Sequence, residues 1–210
     1  MNFSLRVPLN TTPEQCVKLM ELQAAFAQAC NALAPLVQKT RIWNRVALHH
    51  MAYKPLREQF PQMGSQMVCN AIYSVSRHSR LLFQHPQSPF HLAKLGDKPL
   101  PLLRFSDSCP VYFDRHTLSV KDGQLSMYTL DGRMRFQLAL KPKDEASFHT
   151  KKLREIVLTR VAAPAPGGAA GRFELQFSFS DADDSPTGPD PGNAAELPEY
   201  VMVEETHESA

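Results

Sequence analysis

The sequence predicts an α+β fold: a small antiparallel β-barrel with a helical bundle inserted after its first strand, followed by a disordered acidic tail. Three observations predict it. Apolar residues recur at helical spacing from about Thr12 to Leu82. From Val111 onward the period changes to two, with Asp-Gly pairs between the alternating runs. After Ser180 the composition shifts to Asp, Pro, Gly and Glu.

The first element is a short half-buried strand over 2–8, where Phe3, Leu5 and Val7 alternate with Ser4 and Arg6. A helix start follows: Thr12 as N-cap, Pro13 at the first helical position, and Gln15 completing a Thr-x-x-Gln capping box. Leu19, Leu22, Phe26, Cys30, Leu33 and Val37 then mark one apolar helix face, which Pro35 is expected to kink or end. A second helical stretch covers about 44–60, with Pro55 expected to split it. A third begins at Gly64-Ser65 with Ser65 as N-cap. Its apolar line is Val68, Ile72, Val75 and Leu82; Asn70, Tyr73, Arg77 and Arg80 form a different, polar and basic face.

Five prolines and little periodicity make 84–110 a surface connection. The runs 117–121, 124–130 and 133–140, separated by Asp122-Gly123 and Asp131-Gly132, predict a three-stranded meander. Met134, Phe136, Leu138 and Leu140 take one of its faces, and Arg133, Arg135 and Gln137 the other. A short helix is expected at 143–152, then a strand pair, 155–161 and 172–180, across a loop at 162–171. With the first strand this makes about six strands, enough to close a small barrel of the oligonucleotide-binding kind. The expected division is therefore 1–10 with 108–180 as the barrel, 11–90 as the helical insert, 91–107 as a connector and 181–210 as the tail.

The net charge of +2 conceals an asymmetry. Residues 181–210 hold nine of the 21 acids and no Lys or Arg, so 1–180 carry twelve acids against 23 bases, a net of +11. A body this basic attracts polyanions. Cys16, Cys30, Cys69 and Cys109 lie far apart with no Cys-x-x-Cys, so neither a zinc site nor a disulfide is expected. No apolar run reaches the ~20 residues a membrane helix needs, and the start lacks signal-peptide order. A cytoplasmic protein without membrane partner or cofactor is the expectation.

Three passages carry a family resemblance: 5–15 (Leu-Arg-Val-Pro-Leu-Asn-Thr-Thr-Pro-Glu-Gln); 49–60 with 64–67 and 70–72; and 112–119 with 129–133. In order and spacing they resemble the N-terminal wedge and helical recognition lobe of TnpB (OrfB) insertion-sequence nucleases and the related type V CRISPR effectors. The resemblance covers residues 3–180. It implies a protein that holds a structured guide-type RNA and approaches duplex DNA, with sequence reading left to base pairing. It implies RNA phosphate contacts from Arg133 and Arg135, base-edge or groove contacts from Ser65, Gln66, Asn70 and Tyr73, and phosphate contacts from Arg77 and Arg80. Tyr53, Arg57 and Arg115 lie within the resembling passages and join this set. Tyr53 and Trp43 have two uses open to them, base stacking or core packing. Adjacent His49 and His50 point ~100° apart and cannot chelate together.

The family continues into a RuvC nuclease domain whose separated acids hold metal ions, and this chain departs from it there. Residues 200–204 faintly imitate the opening strand of that domain, with Glu204 in the acid's place. One acid cannot perform two-metal hydrolysis. The expected function is thus non-catalytic nucleic-acid binding. The alternatives are a subunit of a split nuclease whose RuvC part is a separate chain, a regulatory adaptor or repressor acting through its acidic tail, and a transposon remnant.

Overall fold

A computed structural model describes residues 3–161, 172–181, 198 and 200–204, and the structural statements below concern these. The expected 162–171 loop and most of the acidic tail lie outside them. The elements run β1 (Phe3–Pro8), α1 (Pro13–Thr40), α2 (Arg45–Gln59), α3 (Ser65–Gln84), α4 (Leu92–Leu95), β2 (Leu102–Phe105) and β3 (Val111–Phe113). They continue with β4 (Leu118–Lys121), β5 (Gln124–Thr129), β6 (Gly132–Gln137), α5 (Pro142–Thr150), β7 (Lys152–Val161), β8 (Arg172–Ser180) and β9 (Val201–Glu204). The chain is mixed α+β, and its strands pair antiparallel. It divides into two compact units, residues 1–23 with 110–188 and residues 24–109 with 189–210.

The first unit is built on a four-stranded sheet of order β1-β8-β7-β3. Its central strand β8 alternates strictly, so Phe173, Leu175, Phe177 and Phe179 all point to one face and are buried. Opposite them lie Val7, facing Leu175 on β1, and Ile156 and Leu158, facing Phe177 and Leu175 on β7. Phe148 of α5 meets Phe177 and Phe179 edge-on at 5.0 and 5.1 Å between centroids. Burying each of these phenyl rings contributes ~2 kcal/mol. A bulge between Leu153 and Glu155 brings Leu153, opposite Phe179, onto the same face as Ile156 and Leu158.

The meander β4-β5-β6 forms a separate three-stranded sheet. Asp122 and Gly123 both take positive φ, 51° and 72°, as a two-residue type I′ hairpin requires. The second hairpin differs from the Asp131-Gly132 turn the sequence suggests. Thr129 pairs with Gly132, so Leu130 and Asp131 are the loop, and Gly132 takes φ 99° at its exit. Leu125, Met127, Met134 and Phe136 face inward and are buried.

The expected closed barrel does not form. Among the described residues the strands fall into sheets of four, three and two. After β3, Asp114 accepts hydrogen bonds from the His116 and Thr117 amides and turns the chain away before β4 can extend the larger sheet. After β6, Pro142 opens α5, whose Phe148 packs on Phe177 and Phe179 of β8 where a further barrel strand would have to lie.

The second unit packs the remainder of α1 with α2 and α3 around Phe26, Leu33, Leu48, Ile72, Leu82 and Phe83. The capping box at the start of α1 is present: the Gln15 amide donates to Thr12 Oγ1 (3.2 Å) and the Thr12 amide to Gln15 Oε1 (3.0 Å). Neither proline breaks its helix as expected. α1 runs through Pro35 and α2 through Pro55. Each proline removes one donor from its ladder, and the buried residues around it (Leu33, Ala34 and Val37; Ala52 and Leu56) hold the rod together by packing. Gly64, without a side-chain cap, precedes α3, so Ser65 is its first residue and not its N-cap.

Two further corrections concern the connector and the tail. Leu102–Phe105 is a strand, and its partner is Val201–Glu204, inside the stretch expected to be a disordered tail. Pro99 and Pro101, just before Leu102, masked the first, and the surrounding acids masked the second.

Candidate nucleic-acid interface

The alternation that buries Leu125 and Phe136 sends every second residue of the meander to solvent. Ser119 and Lys121 from β4, Gln124 and Ser126 from β5, and Arg133, Arg135 and Gln137 from β6 line an open concavity of about 610 Å³. Asp122, in the turn, completes the lining. Three cations therefore face one carboxylate, among neutral hydroxyls and amides that donate or accept as needed. Cross-strand register sets the spacing: Ser126 lies opposite Arg135, Gln124 opposite Gln137, and Lys121 opposite Gln124.

Arg133 is held in place. Its Nη1 donates to Ser126 Oγ at 3.1 Å, and its guanidinium lies 4.1 Å from the ring centroid of Tyr128, its register partner. Tyr128 is 42% exposed, so an aromatic surface sits at one end of the basic face. A guanidinium fixed in this way loses less entropy on meeting a phosphate than a free one.

Arg133 and Arg135 are thus the expected pair that the structure brings together. Gln137 was placed on their face from sequence, while Lys121, Gln124 and Tyr128 were not singled out. The period-two pattern that placed Arg133 and Arg135 on one face places these residues there as well.

On α3 the residues off the core form one stripe: Gln66, Cys69, Tyr73, Arg77 and Arg80, spaced 3, 4, 4 and 3. Arg80 is exposed and the others half-buried. The guanidinium of Arg45, on α2, lies 5.2 Å from the Tyr73 ring. Asn70 does not belong to the stripe. It is buried, with its amide toward Met67 Sδ at 3.8 Å, and cannot reach a base edge. The reason is angular: position 70 shares the inward face with Met67, Ala71 and Ser74. Ser65 is exposed at the helix start.

On α2, half-buried Tyr53 stacks on His49 at 4.7 Å, and Arg57 donates to the Met63 carbonyl, a bond internal to the α2–α3 connection. Trp43 packs at 5.2 Å from Phe83 and is buried, so of its two uses it serves the core. Arg115 is exposed in the turn that Asp114 closes.

Buried titratable groups lie elsewhere. His78 on α3 is depressed from 6.5 to about 4, chiefly because burial disfavours its cation. Burial likewise raises the Cys30 thiol well above its usual range and pushes Cys109 up to about 12. Both are neutral thiols, and none of the four cysteines is in a disulfide. Among the described residues no three His, Cys, Asp or Glu side chains converge as a metal site would require, and no helix is long and apolar enough to cross a membrane. No protein-family model matches the chain, and no curated protein matches its sequence.

Proposed function

We propose that the protein is a non-catalytic nucleic-acid-binding protein that grips the backbone of a structured RNA. The observation that carries this reading is the solvent face of β4-β5-β6, where Lys121, Arg133 and Arg135 stand among hydroxyls and amides beside an exposed aromatic ring. Phosphate contacts of this kind position a nucleic acid without reading its sequence. The excess of 23 bases over twelve acids in residues 1–180 supplies the long-range attraction. The α3 stripe adds Tyr73, Arg77 and Arg80, a second basic and aromatic surface suited to phosphate contact, with duplex DNA as its candidate ligand. The resemblance to the TnpB wedge and recognition lobe supports the same assignment for both surfaces.

The test is direct binding. Nuclease-treated, RNA-free protein is titrated against a labelled RNA hairpin, and the affinity is measured across a salt series. The reading requires affinity that falls steeply and linearly in log–log form as salt rises. Absence of salt-dependent binding to RNA and to duplex DNA alike rejects it.

A further inference from the structure

The second unit contains a built groove for an extended strand. The segment from Gly96 to Phe105 is pinned by polar side chains of α1 and of Arg41, the residue that follows it. Arg41 donates to the Gly96 and Lys98 carbonyls, Gln38 Nε2 to the Leu100 carbonyl at 3.0 Å, and Asn31 Nδ2 to the Phe105 carbonyl at 2.9 Å. Asn31 Oδ1 also accepts from the Phe105 amide at 2.7 Å. This one side chain therefore satisfies both backbone groups of Phe105 and takes the place of a neighbouring strand on that edge. Backbone groups alternate between edges along a strand, so those of Arg104 and Ser106 face the other way.

That opposite edge is occupied by β9. Phe105 pairs with Val201 and Leu102 with Glu204, and the Ser106 amide donates to the Tyr200 carbonyl at 2.9 Å. Side chains give the pairing its register. The Tyr200 hydroxyl lies 3.3 Å from His78 Nε2, and the rings of Tyr200 and Phe105 meet His78 edge-on at 5.6 and 5.4 Å. Val201 is buried, while Met202 is 57% exposed. Glu204 Oε1 meets Arg104 Nε at 3.1 Å, in the open.

These are the features of a strand-addition site: one edge of β2 blocked by Asn31, the other paired with an extended segment, an aromatic pocket for that segment's first side chain, a buried aliphatic position for the second, and a cation for the fifth. The occupant is only four paired residues long and lies 21 positions beyond the last residue of β8. An element so short, with alternate side chains in solvent, has the features of segments at the low-stability end of a structure. We propose that the β2 edge is a peptide-docking groove, and that β9 is a displaceable occupant standing in for a partner's extended segment. The partner segment has the chemistry of Tyr200–Glu204: tyrosine, then a β-branched aliphatic residue, then an acid three residues after that.

The test uses the full chain. A variant carrying Tyr200→Ala and Val201→Asp empties the groove, and a fluorescent peptide of sequence 198–204 is titrated by anisotropy into variant and wild type. The expected result is at least tenfold tighter binding to the variant, because the tethered strand competes at high effective concentration in the wild type. The same peptide with alanine for tyrosine is expected to bind the variant at least tenfold more weakly. Equal affinity for variant and wild type, or indifference to the tyrosine, overturns the proposal. Should the variant misfold, hydrogen exchange on the wild type decides. The amides of Ser106 and residues 201–204 must exchange well before those of α3; exchange only together with α3 shows a strand that cannot be displaced.

Discussion

Lowering the pH to 5 should destabilise the second unit through His78. Its Nδ1 lies 2.8 Å from the Ser74 carbonyl, so Nδ1 carries the proton of the neutral ring and Nε2 is left to accept from the Tyr200 hydroxyl. A second proton would place a cation between two aromatic rings, near Arg77, with its carrier fully enclosed. The unfolded imidazole titrates at 6.5 and the folded one at about 4. Between these values the unfolded state holds the extra proton, so stability falls as pH drops below 6.5 and the loss is complete near 4. At pH 5 the linkage relation gives a loss of about 2 kcal/mol, and at saturation about 3 kcal/mol. The single tryptophan, Trp43, packs on Phe83 of α3, the helix that carries His78, and reports the transition by fluorescence. Urea unfolding at pH 7.5 and pH 5.0, in wild type and in His78→Gln, isolates the contribution of this ring from those of the other histidines. If the two proteins lose the same stability between the two pH values, the neutral, buried role of His78 is wrong.

Three other substitutions have defined outcomes. Asn44 Oδ1 accepts from the Val46 and Ala47 amides, so Asn44→Ala should cost about 1 kcal/mol in urea unfolding. Asn31→Leu leaves both backbone groups of Phe105 without the partners described and should cost about 2 kcal/mol, with faster hydrogen exchange across β2 and β9. Gly123→Ala forces a side chain into φ 72° with its Cβ 3.4 Å from the Leu138 carbonyl; a loss of about 1 kcal/mol, read by thermal unfolding, is expected.

Much of the architecture was legible where the chain obeys local rules. The capping box at Thr12 and Gln15, the Asp122-Gly123 hairpin and the alternation of Phe173 to Phe179 are interactions within a few residues, and sequence spacing expresses them directly. What eluded sequence depends on distant partners. Pro35 and Pro55 sit inside helices because packing outweighs one lost hydrogen bond each, and packing is contributed by other segments. β2 is a strand because Asn31, 74 residues earlier, supplies one edge and β9 supplies the other. The barrel failed for a similar reason: strand count says that closure is feasible, while the turn at Asp114 and the helix carrying Phe148 decide against it. In the candidate interface, Arg133 and Arg135 were legible by period, Tyr128 was within reach of the same reasoning, and the loss of Asn70 to the core follows from which arc of α3 its neighbours cover.

Backbone gripping by the meander is the central claim, and the salt dependence of RNA affinity tests it most directly. For a labelled RNA hairpin, the slope of log K against log salt is measured for wild type and for the Lys121→Ala, Arg133→Ala, Arg135→Ala triple variant. Each phosphate contact contributes about 0.7 to 0.9 to the slope. The account predicts a slope shallower by about 2 to 3 in the variant, with Trp43 fluorescence and thermal unfolding unchanged. An unchanged slope in a folded variant contradicts it.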